Sequence, residues 1–241
     1  MRIIVTNDYE EMSKKAAHII ASQIILKPNS VLGLATGSTP IGTYKELVNL
    51  HKNKIVDFSE VTTFNLDEYY ELPKDNPQSY NYYMRTNLFN YINIDDDRIN
   101  IPNGMTDNIK RECTEYEKKI TAAGGIDLQL LGIGRNGHIG FNEPNDHFVV
   151  DTHLVQLDKN TIEYNSRFFD SIEQVPTKAL SMGIGSIMRA KKILLLASGA
   201  EKADAIYNAL KGPVTPRVPA SILQLHHDVI VILDRDAASK L

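Results

Sequence analysis

The sequence holds a single cysteine, Cys113. One thiol makes neither an internal disulfide nor a thiolate zinc site, so a reducing compartment, the cytoplasm, is expected. Long hydrophobic runs are missing as well. The strongest, Ile193 to Ala197, is far too short to span a bilayer. Residues 1–10 lack a basic stretch followed by an apolar one, so no signal peptide is expected. There is no excess of basic charge. A net charge of −4 and a pI of about 6.0 argue against nucleic-acid and anionic-membrane partners. A small anionic ligand stays compatible, because a few local cations outweigh a mildly acidic total. Repeats at solenoid spacing and low-complexity linkers are also absent.

What is present is ordinary globular material. The 241 residues are 42% hydrophobic and 23% charged, enough for one α/β domain over 1–241 with a large core. Apolar, β-rich runs at 3–5, 31–35, 61–66, 128–133, 193–197 and 229–233 alternate with helical patterns near 8–26, 40–50, 79–91, 107–122, 160–169 and 201–210. Alternation of this kind predicts a mainly parallel sheet with helices on both faces. Short continuous apolar strands fit burial on both sides. Ligands of such sheets bind beyond the C-terminal strand ends, which is where chemistry is sought.

The first such end reads Val31-Leu-Gly-Leu-Ala-Thr-Gly-Ser-Thr-Pro40. Gly37 permits close approach of a ligand, Ser38 and Thr39 add hydroxyl donors, and free N–H groups at a helix start attract an anion. No Gly-Lys-Ser/Thr follows, so this is not a Walker loop; a capped βα turn is the plain alternative. The next run ends at Asp67-Glu68-Tyr69, where Asp67 could serve as a base for a carbon-bound proton or simply cap a loop. Pro77-Gln-Ser-Tyr80 looks like a helix start and carries no chemistry by itself.

The densest segment is Leu130-Leu-Gly-Ile-Gly-Arg-Asn-Gly-His-Ile-Gly-Phe-Asn-Glu-Pro144. Gly132, Gly134 and Gly137 have dinucleotide-fingerprint spacing, but the fingerprint needs a helix opening at the third glycine. Gly140 and Pro144 oppose one. The segment is therefore expected to be a loop presenting Asn136, His138 and Glu143, a titrating imidazole beside an acid. A metal site from His138, Glu143 and His147 matches no spacing with a known mechanism. Two cations remain. Lys202 lies in the expected first turn of a helix, where a bound anion would offset its unfavourable interaction with the helix dipole. Arg167 sits on an amphipathic pattern and reads equally as a surface charge.

Taken together, these segments resemble the glucosamine-6-phosphate deaminase family over nearly the whole chain. The resemblance is carried by Gly33-Leu-Ala-Thr-Gly-Ser-Thr-Pro40, Asn65-Leu-Asp-Glu-Tyr69, Pro77-Gln-Ser-Tyr80, the Gly132 to Pro144 segment, Asn165-Ser-Arg-Phe-Phe-Asp170 and Leu223-Gln-Leu-His226, in that order. It implies a modified doubly wound, Rossmann-like α/β fold. It implies that Asp67 is the enolisation base and that His138 accepts a proton in ring opening, supported by Glu143 and Asn136. Gly37, Ser38 and Thr39 match the phosphate loop, and Arg167 and Lys202 match the cations that clamp the sugar phosphate. The implied substrate is an amino-sugar phosphate, converted without redox step, metal or organic cofactor. Many members carry aspartate where this chain has Asn136, which cannot stabilise an imidazolium by charge.

Two other readings compete. A 6-phosphogluconolactonase shares the broad fold but needs no C2 proton abstraction. A sugar-phosphate sensor would normally carry a DNA-binding helix-turn-helix, and this chain is expected to begin at its first strand. In the regulated hexameric members, a serine and two basic residues after the Asn-Glu-Pro segment bind an effector phosphate. The matching positions here are Asp146, His153 and Val155, so no such activation is expected, and a monomer or small homo-oligomer is.

Overall fold

The computed structural model describes residues 1–158, 161–163, 166, 169 and 171–241. Seven strands form a wholly parallel sheet: β1 (Arg2–Thr6), β2 (Val31–Leu34), β3 (Thr62–Asn65), β5 (Ile99–Asn100), β6 (Leu128–Leu131), β9 (Ile193–Ala197) and β10 (Val229–Asp234). Their order across the sheet is β1-β10-β9-β6-β2-β3-β5. Every residue of β2, β6 and β9 is buried, as continuous apolar strands covered on both faces require. Around the sheet lie α1 (Tyr9–Leu26), α2 (Ile41–Lys52), α3 (Tyr80–Asn87), α4 (Ile109–Ala122), α5 (Ile184–Met188) and α6 (Ala203–Lys211). Crossovers run in both directions along the sheet, and their common right-handedness puts helices on both faces. The main core reaches through these layers, from Tyr44 on α2 through Phe64 and Leu130 to Leu195 and Val231.

β2 passes to β3 on one side, while β6 leads toward β9 on the other. The chain therefore diverges between β2 and β6, and a crevice opens beyond their C-terminal ends. Both glycine-bearing loops leave from that point.

A second, antiparallel sheet closes over it, which the hydrophobic pattern did not foretell. It consists of β4 (Asp67–Tyr69), β8 (Lys178–Ser181) and β7 (His153–Gln156), in the order β4-β8-β7. Each has three or four residues and no long apolar run, so none stands out by periodicity. Leu66 alone separates β3 from β4. Its N–H bonds Leu34 of the large sheet (3.0 Å), and its carbonyl accepts from Met182 beside β8 (2.7 Å). Asp67 thus starts a strand of the small sheet, where it was expected to follow the end of a strand. A satellite core of Tyr69, Phe141, Leu157 and Ala179 sits beneath this sheet.

Helix ends follow the local chemistry. The Asp8 side chain accepts from the Glu11 amide, that of Ser79 from Tyr82, and that of Asn108 from Arg111. The pattern near 79–91 resolves into α3 and a separate 3₁₀ turn at Phe89–Tyr91. Half of the helix expected over 160–169 lies outside the described residues; residues 161–163 within it are helical. Among the described residues, no helix is long and apolar enough to cross a membrane.

Candidate active site

A cavity of about 610 Å³ occupies the crevice and brings together Gly37, Ser38, Thr39, Asp67, Asn136, His138 and Lys202. Arg167 is outside the described residues.

The loop after β2 is held from behind. Tyrosine hydroxyls donate to three of its backbone carbonyls: Tyr44 to that of Ala35 (2.5 Å), Tyr83 to Gly37 (2.6 Å) and Tyr9 to Ser38 (3.2 Å). Gly37 has φ +90°, a conformation that only glycine adopts without strain. With the carbonyls engaged, the amides of Gly37, Ser38 and Thr39 have no hydrogen-bond partner among the described residues. Free amides before α2, which begins at Ile41, are of the kind that attract an anion.

Asp67 is 5% exposed. No hydrogen bond reaches its carboxylate among the described residues. Burial, and then the charge of Glu68 beside it, push its carboxyl up to about 8. A base with that affinity is matched to proton transfer near neutral pH.

On the opposite loop three side chains converge on one carboxylate. Glu143 Oε2 accepts from the Asn136 amide (2.7 Å) and lies 3.2 Å from His138 Nδ1, while Oε1 accepts from Thr161 (2.6 Å). Burial would raise the Glu143 carboxyl, but the histidine and the two other donors outweigh it and hold it down at about 2. Glu143 therefore stays an anion beside His138, fixing its ring and ready to stabilise its charged form. Asn136 was expected to hold His138. Its oxygen accepts only the His138 backbone N–H (3.2 Å), and its amide turns to Glu143. An aspartate with the same geometry would set oxygen against oxygen. Asparagine donates there instead, so Glu143 carries the charge facing the imidazole. No helix follows Gly137, as the rejection of a dinucleotide site requires.

Lys202 closes the cavity. It is 8% exposed and donates to the Ile133 carbonyl at 2.9 Å. The expected helical turn is a 3₁₀ turn at Ala200–Lys202, and Lys202 is the residue before α6. Tyr80, Thr161 and Glu163 also line the site; the sequence marked Tyr80 only as part of a helix start and did not single out the other two. Tyr80 stacks on Phe141 with ring centroids 5.9 Å apart; its only signal was the helix start at Ser79. Thr161 lies 18 residues from the acid it bonds, and no motif marks it. Among the described residues, no three His, Cys, Asp or Glu side chains are grouped to hold a metal ion.

This geometry has counterparts in known proteins. The family model for glucosamine-6-phosphate isomerases and 6-phosphogluconolactonase matches residues 7–232. The chain belongs to that family. Within it, the similarity at high sequence identity is to deaminases. The glucosamine-6-phosphate deaminase of Clostridium botulinum (strain Kyoto / Type A2) is 68% identical over 241 residues, covering 100% of this chain and 99% of that protein. That of Clostridioides difficile (strain 630) is 64% identical, covering 100% and 97%. A solved monomeric glucosamine-6-phosphate deaminase superposes with a TM-score of 0.98 at 49% identity, with both chains covered in full.

Proposed function

We propose that this chain converts glucosamine 6-phosphate to fructose 6-phosphate and ammonia. The observation that carries the reading is a buried Asp67, with no hydrogen bond to its carboxylate among the described residues, sharing one cavity with an amide-lined loop and with His138, which is backed by Glu143. His138 takes the proton of the C1 hydroxyl as the C1–O5 bond breaks, and passes that proton on to the ring oxygen. Glu143 stabilises the imidazolium that forms. Asp67 then removes the C2 proton, giving an enolamine, and returns it to C1. Water adds to the resulting C2 ketimine and ammonia leaves. The 6-phosphate, held by the loop amides and Lys202, supplies binding energy remote from the reacting carbons. Arg167 is proposed as its second cation, from the family resemblance alone. Nothing in this sequence of proton transfers calls for a metal or an organic cofactor.

Incubation with glucosamine 6-phosphate should release ammonia and fructose 6-phosphate in equal amounts. Hydrolysis of 6-phosphogluconolactone with no ammonia from the amino sugar would overturn the reading in favour of a lactonase.

Lys202→Ala should raise KM for the sugar phosphate about ten- to hundred-fold, since charge-assisted bonds contribute ~1.5–3 kcal/mol each. It should also weaken inhibition by inorganic phosphate. If neither parameter moves, Lys202 does not bind the phosphate.

The enzyme is proposed to be a monomer or small oligomer without activation by N-acetylglucosamine 6-phosphate; the 49%-identical solved relative is itself monomeric. Asp146, where a hydroxyl would be needed, pairs with Arg217. Burial lowers the affinity of His153 for its proton, leaving a neutral ring where a cation is required. Val155 on β7 offers no donor. An effector acts only through differential affinity for two states, and these positions provide little for a phosphate. Rate curves should be hyperbolic with and without that compound. A sigmoidal curve that it renders hyperbolic would refute the proposal.

A further inference from the structure

The reaction as drawn leaves a buried carboxylate beside its own base unused. Glu68, next to Asp67, is 2% exposed. Its Oε1 accepts from the backbone N–H groups of Tyr69 and Tyr80, both at 2.9 Å, and its Oε2 from that of Asn81 at 2.8 Å. Tyr80 and Asn81 are the first two residues of α3, and their amides have no partner within the helix. The third amide, on Tyr82, goes to Ser79 Oγ at 3.0 Å. The start of α3 is thus fully satisfied, two-thirds of it by a side chain from another element. A carboxylate suits this position because the helix N-terminus is its positive end.

Helix α3 also touches the rest of the site. One turn in, the Tyr83 hydroxyl holds the Gly37 carbonyl of the anion loop at 2.6 Å. The Tyr80 ring packs on Tyr69, with centroids 4.8 Å apart, and on Phe141. A short strut therefore runs from β4 through Glu68 and the first turn of α3 to the loop.

We propose that Glu68 is a positioning residue: by fastening α3 to β4, it fixes the spacing between the base at Asp67 and the phosphate loop at Gly37. This rests on the deaminase reading above. A substrate gripped at its 6-phosphate presents C2 to Asp67 only if that spacing is right, and small errors in reach are costly to turnover.

Glu68 has a second effect on its neighbour. The phenols around Asp67, those of Tyr44 on α2, Tyr80 on α3 and Tyr116 on α4, are held protonated by burial. Arg135, His138, Glu163 and Lys202 share the cavity. Glu68 is the charged neighbour that raises the Asp67 carboxyl, after burial. Burial pushes Glu68 itself up to about 7, against the pull of its three N–H bonds. Those bonds and the helix end favour its anionic form.

The test uses Glu68→Gln, Tyr83→Phe and the double variant, each compared with the parent for kcat, KM and the pH profile of kcat/KM. Glutamine keeps the size but loses the charge and turns an amide toward one of the N–H groups. The acid limb of kcat/KM should move to lower pH, because a like charge beside the base is gone. The substrate phosphate titrates identically in both enzymes, so it does not contribute to the difference. Tyr83→Phe should raise KM about three- to ten-fold without moving the limb, the worth of one hydrogen bond. In the double variant the KM effects should multiply to less than their product, because both changes break one strut. A limb that stays in place in Glu68→Gln, or fully independent KM effects, overturns the inference. If Glu68→Gln does not fold, an unchanged KM in folded Tyr83→Phe overturns it. A parent that releases no ammonia from glucosamine 6-phosphate defeats the functional reading and this inference together; an active parent with an unmoved limb defeats only the latter.

Discussion

Asp67→Asn is expected to lose turnover by ~10²–10⁴-fold, the usual consequence of removing a positioned general base. Binding of glucosamine 6-phosphate should survive, since the loop amides and Lys202 are untouched. The same variant should be more stable than the parent. Asp67 has its carboxyl at about 8 when folded against an ordinary 3.8. Between those values the folded chain binds a proton that the unfolded chain has released, so stability falls as pH rises through that window. Asparagine carries no such penalty. The gain in Tm over the parent should therefore be small near pH 4 and grow toward pH 8. Loss of activity together with gain of stability separates a catalytic charge from a structural one, since removing a structural group lowers both. Turnover within a few-fold of the parent would remove Asp67 from the mechanism.

Much of this arrangement was legible before any coordinates. The six apolar runs became strands of the large sheet because each is short and continuous, a pattern that depends little on distant neighbours; the central β2, β6 and β9 are buried throughout, while β1 at the edge leaves Ile3 and Val5 exposed. The Gly132 to Pro144 segment read correctly as a loop, since Gly140 and Pro144 disfavour a helix whatever surrounds them. The small sheet was invisible for the opposite reason. Asp67–Tyr69 is two-thirds charged, and it becomes a strand only because Leu66 is pinned between Leu34 and Met182. Its partner Lys178–Ser181 lies more than a hundred residues away. Site residues divide along the same line. Asp67, His138, Glu143 and Lys202 announce themselves by chemical type at strand ends. Glu68, Tyr83 and Thr161 matter through what they touch, 12, 46 and 18 residues away in sequence. Asn136 holds His138 by a hydrogen bond, but its second partner, Glu143, was not foreseen from a two-residue spacing. The turn presents the histidine backbone, and the amide swings to Glu143.

His138→Gln is expected to lower overall deamination by ~10²–10⁴-fold while sparing the carbon-acid step. The separation follows from the two environments. Asp67 lies buried in β4; His138 lies on the loop after β6, its Nδ1 against Glu143. With Glu143 held at about 2, the charge behind the imidazole is constant across any working pH. The pH dependence of the C2 step should follow the protonation of Asp67. Glutamine preserves a polar side chain of similar reach but cannot accept a proton from the C1 hydroxyl. The small fraction of substrate already in open-chain form bypasses that need. Its C2 hydrogen should still exchange with deuterated solvent in His138→Gln, at a rate limited by spontaneous ring opening, whereas Asp67→Asn should show no exchange. Glu143→Gln should resemble His138→Gln in this assay, because it removes the charge that stabilises the imidazolium. If His138→Gln suppresses exchange from open-chain substrate as fully as Asp67→Asn does, the histidine acts at C2, and the division of labour between the two loops is wrong.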